Sequence, residues 1–370
     1  MGNRKLSTQG IIFLFFIVFI ALAVINRPQH QPIQFMPSSN AKLINKDNWQ
    51  TIELHSNTKM VHASFIEQLP NNRQIVFWFG GSREGHKDVQ IYRSILSDGE
   101  IIESPTPVLS APKLSELSGR YIKKLGNPVA KYHEGKLYLW VVSVSVGGWA
   151  TAKVDMLVSE DEGETFVYGE KLNTSPFFNI STLIRNPLVE IDQGFLLPAY
   201  FELNRLDPIM VRLDNHMRMV QAQTLPMGAI QPIVIPNQGG GSAQVYARPI
   251  EQKAVQHGQW QPESAKWITT SINDLPNDSS DSAIVRLSAN KLLMVHNGGQ
   301  GRGQLLISLT EDNGSTWKKI ATLENKSGER YAYPAMIIGS DGMLHITYTW
   351  QREHIQYIRA SLSSILAGDI

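Results

Sequence analysis

Six positions share one setting: Ala63, Asn127, Asn186, Gln231, Asp281 and Tyr333 each stand immediately before a Pro or Ser that opens an apolar run. Five of the six are polar. A turn preference before proline accounts for Asn and Asp, but not for Gln231 or Tyr333. A phenol, a carboxyl and amides gathered at one place could donate and accept protons at a bound polar substrate. His62 precedes the first station, and an imidazole titrates near neutrality. Arg83 and Arg185 lie beside two stations, and a planar guanidinium binds a carboxylate bidentately.

The elements that must position these side chains are short strands. After residue 45 the chain alternates runs rich in Val, Ile, Tyr, Phe and Trp with Gly, Asn, Asp and Pro. That pattern predicts many strands and no long amphipathic helix. Six hairpin-containing copies, anchored at Ser64, Pro128, Pro187, Pro232, Ser282 and Pro334, recur at intervals of 64, 59, 45, 50 and 52 residues. Each interval holds one four-stranded blade. Two segments share a second pattern: Ser159-x-Asp161-x-Gly163-x-Thr165-Phe166 and Thr310-x-Asp312-x-Gly314-x-Thr316-Trp317. They read as stapled turns in which Asp accepts backbone N–H groups, Gly takes positive φ and the aromatic plugs between sheets. The expected fold is all-β, a six-bladed β-propeller over 45–366. In such a fold the six stations face the mouth of the central channel, and the two boxed turns lie far from it.

Composition narrows the function. The 370 residues carry 34 Lys+Arg and 33 Asp+Glu, a net charge of +1, which gives no electrostatic case for nucleic acid. Cysteine is absent, which excludes disulfide scaffolds, thiolate metal sites and cysteine nucleophiles. No HExxH, P-loop, dinucleotide or EF-hand pattern occurs, so no metal and no cofactor is assigned. Arg4 and Lys5 precede an unbroken apolar run from Ile11 to Ile25. Residues 1–26 are therefore expected to be a signal anchor or a cleaved signal peptide, with Ala21-Leu22-Ala23 as the small-x-small site and the anchor preferred. Residues 27–44 read as a linker. This predicts export, with membrane contact through the N-terminal segment only and the propeller outside the cytoplasm.

The boxed turns, with WFGGSREGHKDVQIYRS, DLPN and YAYPAMIIGSDGMLHITYTWQR, resemble the sialidase (neuraminidase)-like BNR/Asp-box superfamily, in its predicted-neuraminidase branch. The resemblance spans about residues 60–360. It implies an exo-acting glycosidase whose nucleophile is a Tyr, an electrostatic solution to a substrate that carries its own carboxylate. Position by position it implies Tyr333 as nucleophile, Asp88 as loop acid/base, and Arg248 and Arg302 on the substrate carboxylate. Glu84 is a rival acid four residues from Asp88. The sequence departs from the pattern twice. The motif with the first family arginine reads Val61-His62-Ala63-Ser64 here, and Gln231 stands where the family has a Glu.

The catalytic set is thus Tyr333, Asp88, Asp281 and His62. The substrate-binding set is Arg83, Arg185, Arg248, Arg302, Asn127, Asn186 and Gln231. The four arginines are expected on one concave face. The Tyr333 hydroxyl is expected within reach of Asp281, His62 or Arg248. The function read from these residues is hydrolysis of a terminal, acidic sugar. The alternatives are a silent glycan-binding propeller, or a carbohydrate lyase using His62 and Tyr333.

Overall fold

A computed structural model describes residues 8–25, 33–38, 43–44, 48–174, 181–203, 206–251, 254–264, 266–299 and 301–367. Arg4, Lys5 and most of the expected linker lie outside them.

Six antiparallel sheets follow one another along the chain. Blade 1 runs Met60–Leu69, Arg73–Gly81, Gln90–Ser97 and Glu100–Ser110. Blade 2 runs Lys124–His133, Lys136–Val144, Lys153–Ser159 and Val167–Lys171. Blade 3 has Thr182–Ile184 and Val189–Ile191 end to end along one edge of Gly194–Phe201, then Pro208–Leu213 and Met219–Thr224. Blade 4 comprises Ala229–Pro236, Ala243–Pro249, Ala254–Gln261 and Lys266–Pro276. Blade 5 comprises Ser282–Arg286, Leu292–Asn297, Gln304–Thr310 and Lys318–Asn325. Blade 6 takes Tyr331–Ile338, Leu344–Trp350 and His354–Ala360, and its fourth strand is Trp49–Leu54 from the other end of the sequence. The six predicted copies are the first two strands of the six blades. The closing strand was not in the repeat arithmetic, because it is a single strand with no copy of the hairpin around it.

The inner strands are buried on both faces, so successive side chains such as Phe77 and Trp78 enter two different apolar clusters. Phe65, Phe77, Trp78 and Trp140 are each no more than 2% exposed. Two short helices, Ala111–Ser118 and Leu362–Ala367, stand outside the sheets. Within the expected linker, Phe35 is buried, bridges Ile191 of blade 3 and meets Trp260 and Trp267 of blade 4 edge-on. Apolar burial holds this stretch on the propeller.

The two boxed turns are the same structure twice. Ser159 and Thr310 donate their hydroxyls to Asp161 and Asp312 at 2.6 and 2.7 Å. Each Asp accepts from the backbone N–H of the Thr four residues on, at 2.9 and 2.8 Å. Phe166 and Trp317 are buried. Both turns join third to fourth strands, in blades 2 and 5. An antiparallel blade puts that turn at the end opposite the start of its first strand, away from the mouth.

The N-terminal unit is a separate helix, Thr8–Ile25, of 18 residues. The side chains of residues 12–19 are exposed, Phe15 by 73%. Among the described residues no helix is long and apolar enough to cross a membrane. The preferred anchor reading therefore finds no support.

Candidate active site at the propeller mouth

The stations reach the mouth through a backbone device. The innermost strand pairs of blades 1, 2, 4 and 6 break register at His62/Phe65, Leu125/Pro128, Ile230/Ile233 and Ala332/Ala335. Each break is a bulge at the station residue. Three stations adopt the left-handed conformation, with φ of 57° at Ala63 and 54° at both Gln231 and Tyr333. Residues without glycine's freedom rarely do so, and bulges of this kind re-aim a side chain. The following Pro lacks an N–H, so the interrupted ladder leaves no orphan donor there. Sequence thus encodes the aim of these side chains in the pair "station, then Pro or Ser".

Tyr333 is half-buried at the centre. Its hydroxyl accepts a hydrogen bond from Gln231 Nε2 at 3.3 Å, not from any of the three expected partners. Arg248 Nη1 donates to Gln231 Oε1 at 3.2 Å, and its Nε donates to Ser279 at 3.2 Å. The amide is therefore held by a guanidinium with its NH₂ turned to the phenol. The Arg185 and Arg302 guanidinium carbons lie 5.2 and 5.9 Å from the Tyr333 ring centroid. The His62 ring meets that of Tyr333 edge-on at 4.4 Å, and His62 Nδ1 lies 3.1 Å from the Thr349 hydroxyl. Burial, and then the charges of Arg352, Arg302, Arg185 and Arg330, hold the His62 imidazole well below its usual pKa. It is neutral at physiological pH, and a second proton on it is opposed from several sides.

A cavity of about 100 Å³ opens beside the phenol, lined by Tyr333, Tyr200, Glu84, Glu202, Asn127 and Trp149 among others. Glu202 follows the second strand of blade 3. Glu202 is solvent-exposed; partial loss of solvent at the mouth raises its carboxyl, and the Arg248 charge opposes that. Glu84 lies on the blade 1 loop and pairs with Arg352 at 2.7 Å. A second, wider cavity of about 740 Å³ has no lining residue in common with the first and is lined by Arg248, Arg302, Arg330, Asp278 and Glu329 among others.

The remaining predicted residues take other places. Asp88 is half-exposed and outside the small cavity's lining, with His86 Nδ1 at 2.7 Å and the Ser82 hydroxyl donating at 3.1 Å. Its slight burial acts to raise the carboxyl, but bonds from His86 and Ser82 prevail and lower it. Arg83 is exposed on the same loop. Arg185 is 1% exposed and works as a strut under the mouth. It donates to Asp281 at 2.6 Å, to the Ser64 carbonyl at 2.9 Å and to the Pro334 carbonyl at 2.8 Å, tying blades 5, 1 and 6. The expected convergence of four arginines on one concave face therefore holds for Arg248 and Arg302, while Arg185 is internal and Asp281 is its counter-ion. Asn186 donates to the Gln231 and Pro232 carbonyls, and Asn127 to that of Ile184, each reaching the next blade.

Sequence reasoning missed Glu202, Arg330 and Arg352. Arg352 follows the second strand of blade 6 much as Arg248 closes that of blade 4, so aligning the ends of second strands, and not only the starts of first ones, would have found it.

The sequence pattern of a BNR repeat-like domain matches residues 72–346. No curated protein matches the chain in sequence. Solved structures share the fold. The Hadza microbial sialidase Hz136 superposes with a TM-score of 0.67 at 15% identity, over 83% of this chain and 66% of that one. A protein of unknown function from Dyadobacter fermentans does so with 0.66 at 11% identity, over 84% and 98%. The intramolecular trans-sialidase from Ruminococcus gnavus, solved with oseltamivir carboxylate, gives 0.63 at 11%, over 83% and 96%. The present chain thus spans about two thirds of the first of these and nearly all of the other two. With the domain pattern covering most of the chain and twin boxed turns on six blades, this protein belongs to the BNR repeat-like domain family, and its fold is that of the solved sialidases.

Proposed function

We propose that this protein is an exo-acting glycosidase that removes a terminal acidic sugar at the propeller mouth. The observation that carries the reading is Tyr333, held at a left-handed bulge with its hydroxyl bonded by Gln231 and its ring flanked by guanidinium groups. Arg248 and Arg302 supply planar donors for the acidic group of the sugar. Tyr333 Oη attacks the anomeric carbon as the bond to the leaving oxygen breaks, and that oxygen takes a proton. Glu202, which lines the cavity with Tyr333, is the donor that the cavity offers. Water then displaces the phenolic oxygen, returning a proton to the carboxylate. Glu84, beside the same cavity, is the carboxylate available to receive the phenol proton. Asp88, expected as the acid/base, is on this reading the residue that shapes the loop carrying Glu84. The test is hydrolysis of chromogenic sialosides, uronides and rhamnosides, with release confined to acidic sugars as the expected result.

A second reading rests on one observation. The direct partner of the Tyr333 hydroxyl is an amide, which cannot take up a proton. On that reading the mouth binds an acidic glycan without cleaving it. Saturable binding with no turnover of any glycoside would establish it.

We also propose that the chain is exported, with residues 1–26 acting as a signal segment. The support is the basic start, the apolar run and the Ala21-Leu22-Ala23 site. The N-terminal mass of the mature protein tests this. Loss of the segment is expected, and a full-length cytoplasmic product would contradict it.

A further inference from the structure

Glu53 lies near the end of the strand that closes the ring, and His55 directly follows that strand, two residues on. His354 opens the neighbouring strand, and the two strands pair at Leu54 and Ile355. Glu53 Oε2 lies 2.9 Å from His55 Nε2, and Glu53 Oε1 lies 4.0 Å from His354 Nε2. The ligand atoms of the three residues all lie within 4.8 Å of one another.

Tetrahedral zinc with bonds of about 2.0–2.1 Å sets its ligand atoms roughly 3.3 Å apart. The observed separations bracket that figure. The His354 ring is fixed by burial and by stacking on Trp350, with centroids 4.7 Å apart and planes at 18°. Glu53 and His55 are exposed, which leaves a route in and a fourth position for water. Two imidazoles and one carboxylate suit Zn²⁺ and its neighbours and do not suit Mg²⁺ or Ca²⁺.

We propose that Glu53, His55 and His354 bind Zn²⁺ and thereby clip the first strand of the propeller to the last. Hydrogen bonding between Trp49–Leu54 and His354–Ala360 is what closes the ring, and the exposed Glu53–His55 pair by itself adds little. A metal bridging the two strands binds only the closed ring, so binding stabilises closure by mass action. No metal motif announces the site, because its ligands come from opposite ends of the chain.

The test uses the full chain stripped with chelator, then titrated with zinc chloride. Zinc is expected to raise the thermal midpoint in a saturable way and to slow amide exchange over residues 49–55 by about tenfold or more. Both effects should vanish in His55→Ala, whose exposed side chain is not needed for folding, and in Glu53→Gln. Magnesium chloride should produce neither. An unchanged midpoint with zinc, or a zinc effect that survives His55→Ala, would overturn the proposal.

Discussion

Gln231 donates its side-chain amide to the Tyr333 hydroxyl across 3.3 Å, bridging 102 residues of sequence and joining blade 4 to blade 6 at the mouth. Both residues sit at left-handed bulges, so the contact follows from two equivalent backbone distortions meeting at the axis. Gln231→Leu would remove the donor and leave Arg248 Nη1 without its acceptor. Removing a hydrogen bond involving a charged group costs about 1.5–3 kcal/mol. The expected outcome is a tenfold to hundredfold fall in kcat/KM, with the fold unchanged by circular dichroism.

Arg302 is expected to carry affinity for the acidic group. Arg302→Ala should weaken binding of the acidic sugar by about tenfold to a hundredfold, and flatten its dependence on salt. Arg302→Lys should recover only part, since an ammonium keeps the charge but not the planar fork. Calorimetry at two ionic strengths separates the two effects. Equal binding by all three proteins would remove Arg302 from the site.

The Arg185–Asp281 pair makes a different prediction, because it acts on stability. Both side chains are about 1% exposed. Burial raises the Asp281 carboxyl, while the Arg185 and Arg248 charges oppose that. Asp281→Ala would strand a buried guanidinium, at a cost of about 3–5 kcal/mol. Arg185→Met combined with Asp281→Leu should recover much of the loss, as buried pairs replaced by apolar groups often do. Urea unfolding of the three variants measures this.

The boxed turns predict an acid limb. In Asp161 slight burial acts to raise the carboxyl, but bonds from Ser159 and Thr165 prevail and lower it to about 2. In Asp312 bonds from Thr316 and Thr310 lower it to about 2. An unfolded Asp titrates near ~3.9. Folded values below unfolded ones mean stability that is present above about pH 4 and lost as pH falls through 2. Asp161→Asn should flatten the fall in unfolding free energy over that range, and an unaltered pH dependence would show the turn contributes nothing there.

How much of this was legible in sequence depends on how local the cause is. The bulge stations were readable, since the "station, then Pro or Ser" pair and the apolar hairpin after it are contiguous. The boxed turns were readable for the same reason. Arg185 was not. Beside Asn186-Pro187 it looks like any mouth residue, and only the gap in the blade 3 inner strand shows it turning inward. The closing strand Trp49–Leu54 was hidden because its partner is some 300 residues away, and the strand has no repeat signal of its own. Glu202 was not legible because it follows a second strand, where no Pro or Ser anchor marks the mouth.

The central claim is that Tyr333 performs chemistry at the mouth, and the most direct measurement is turnover by Tyr333→Phe on whichever acidic aryl glycoside the wild type cleaves. Phe keeps the ring against His62 and the guanidinium groups and removes one oxygen. The account predicts a kcat lower by about a thousandfold or more, on the scale expected when a nucleophile is lost, with ligand affinity nearly unchanged. Wild-type turnover in Tyr333→Phe would contradict it.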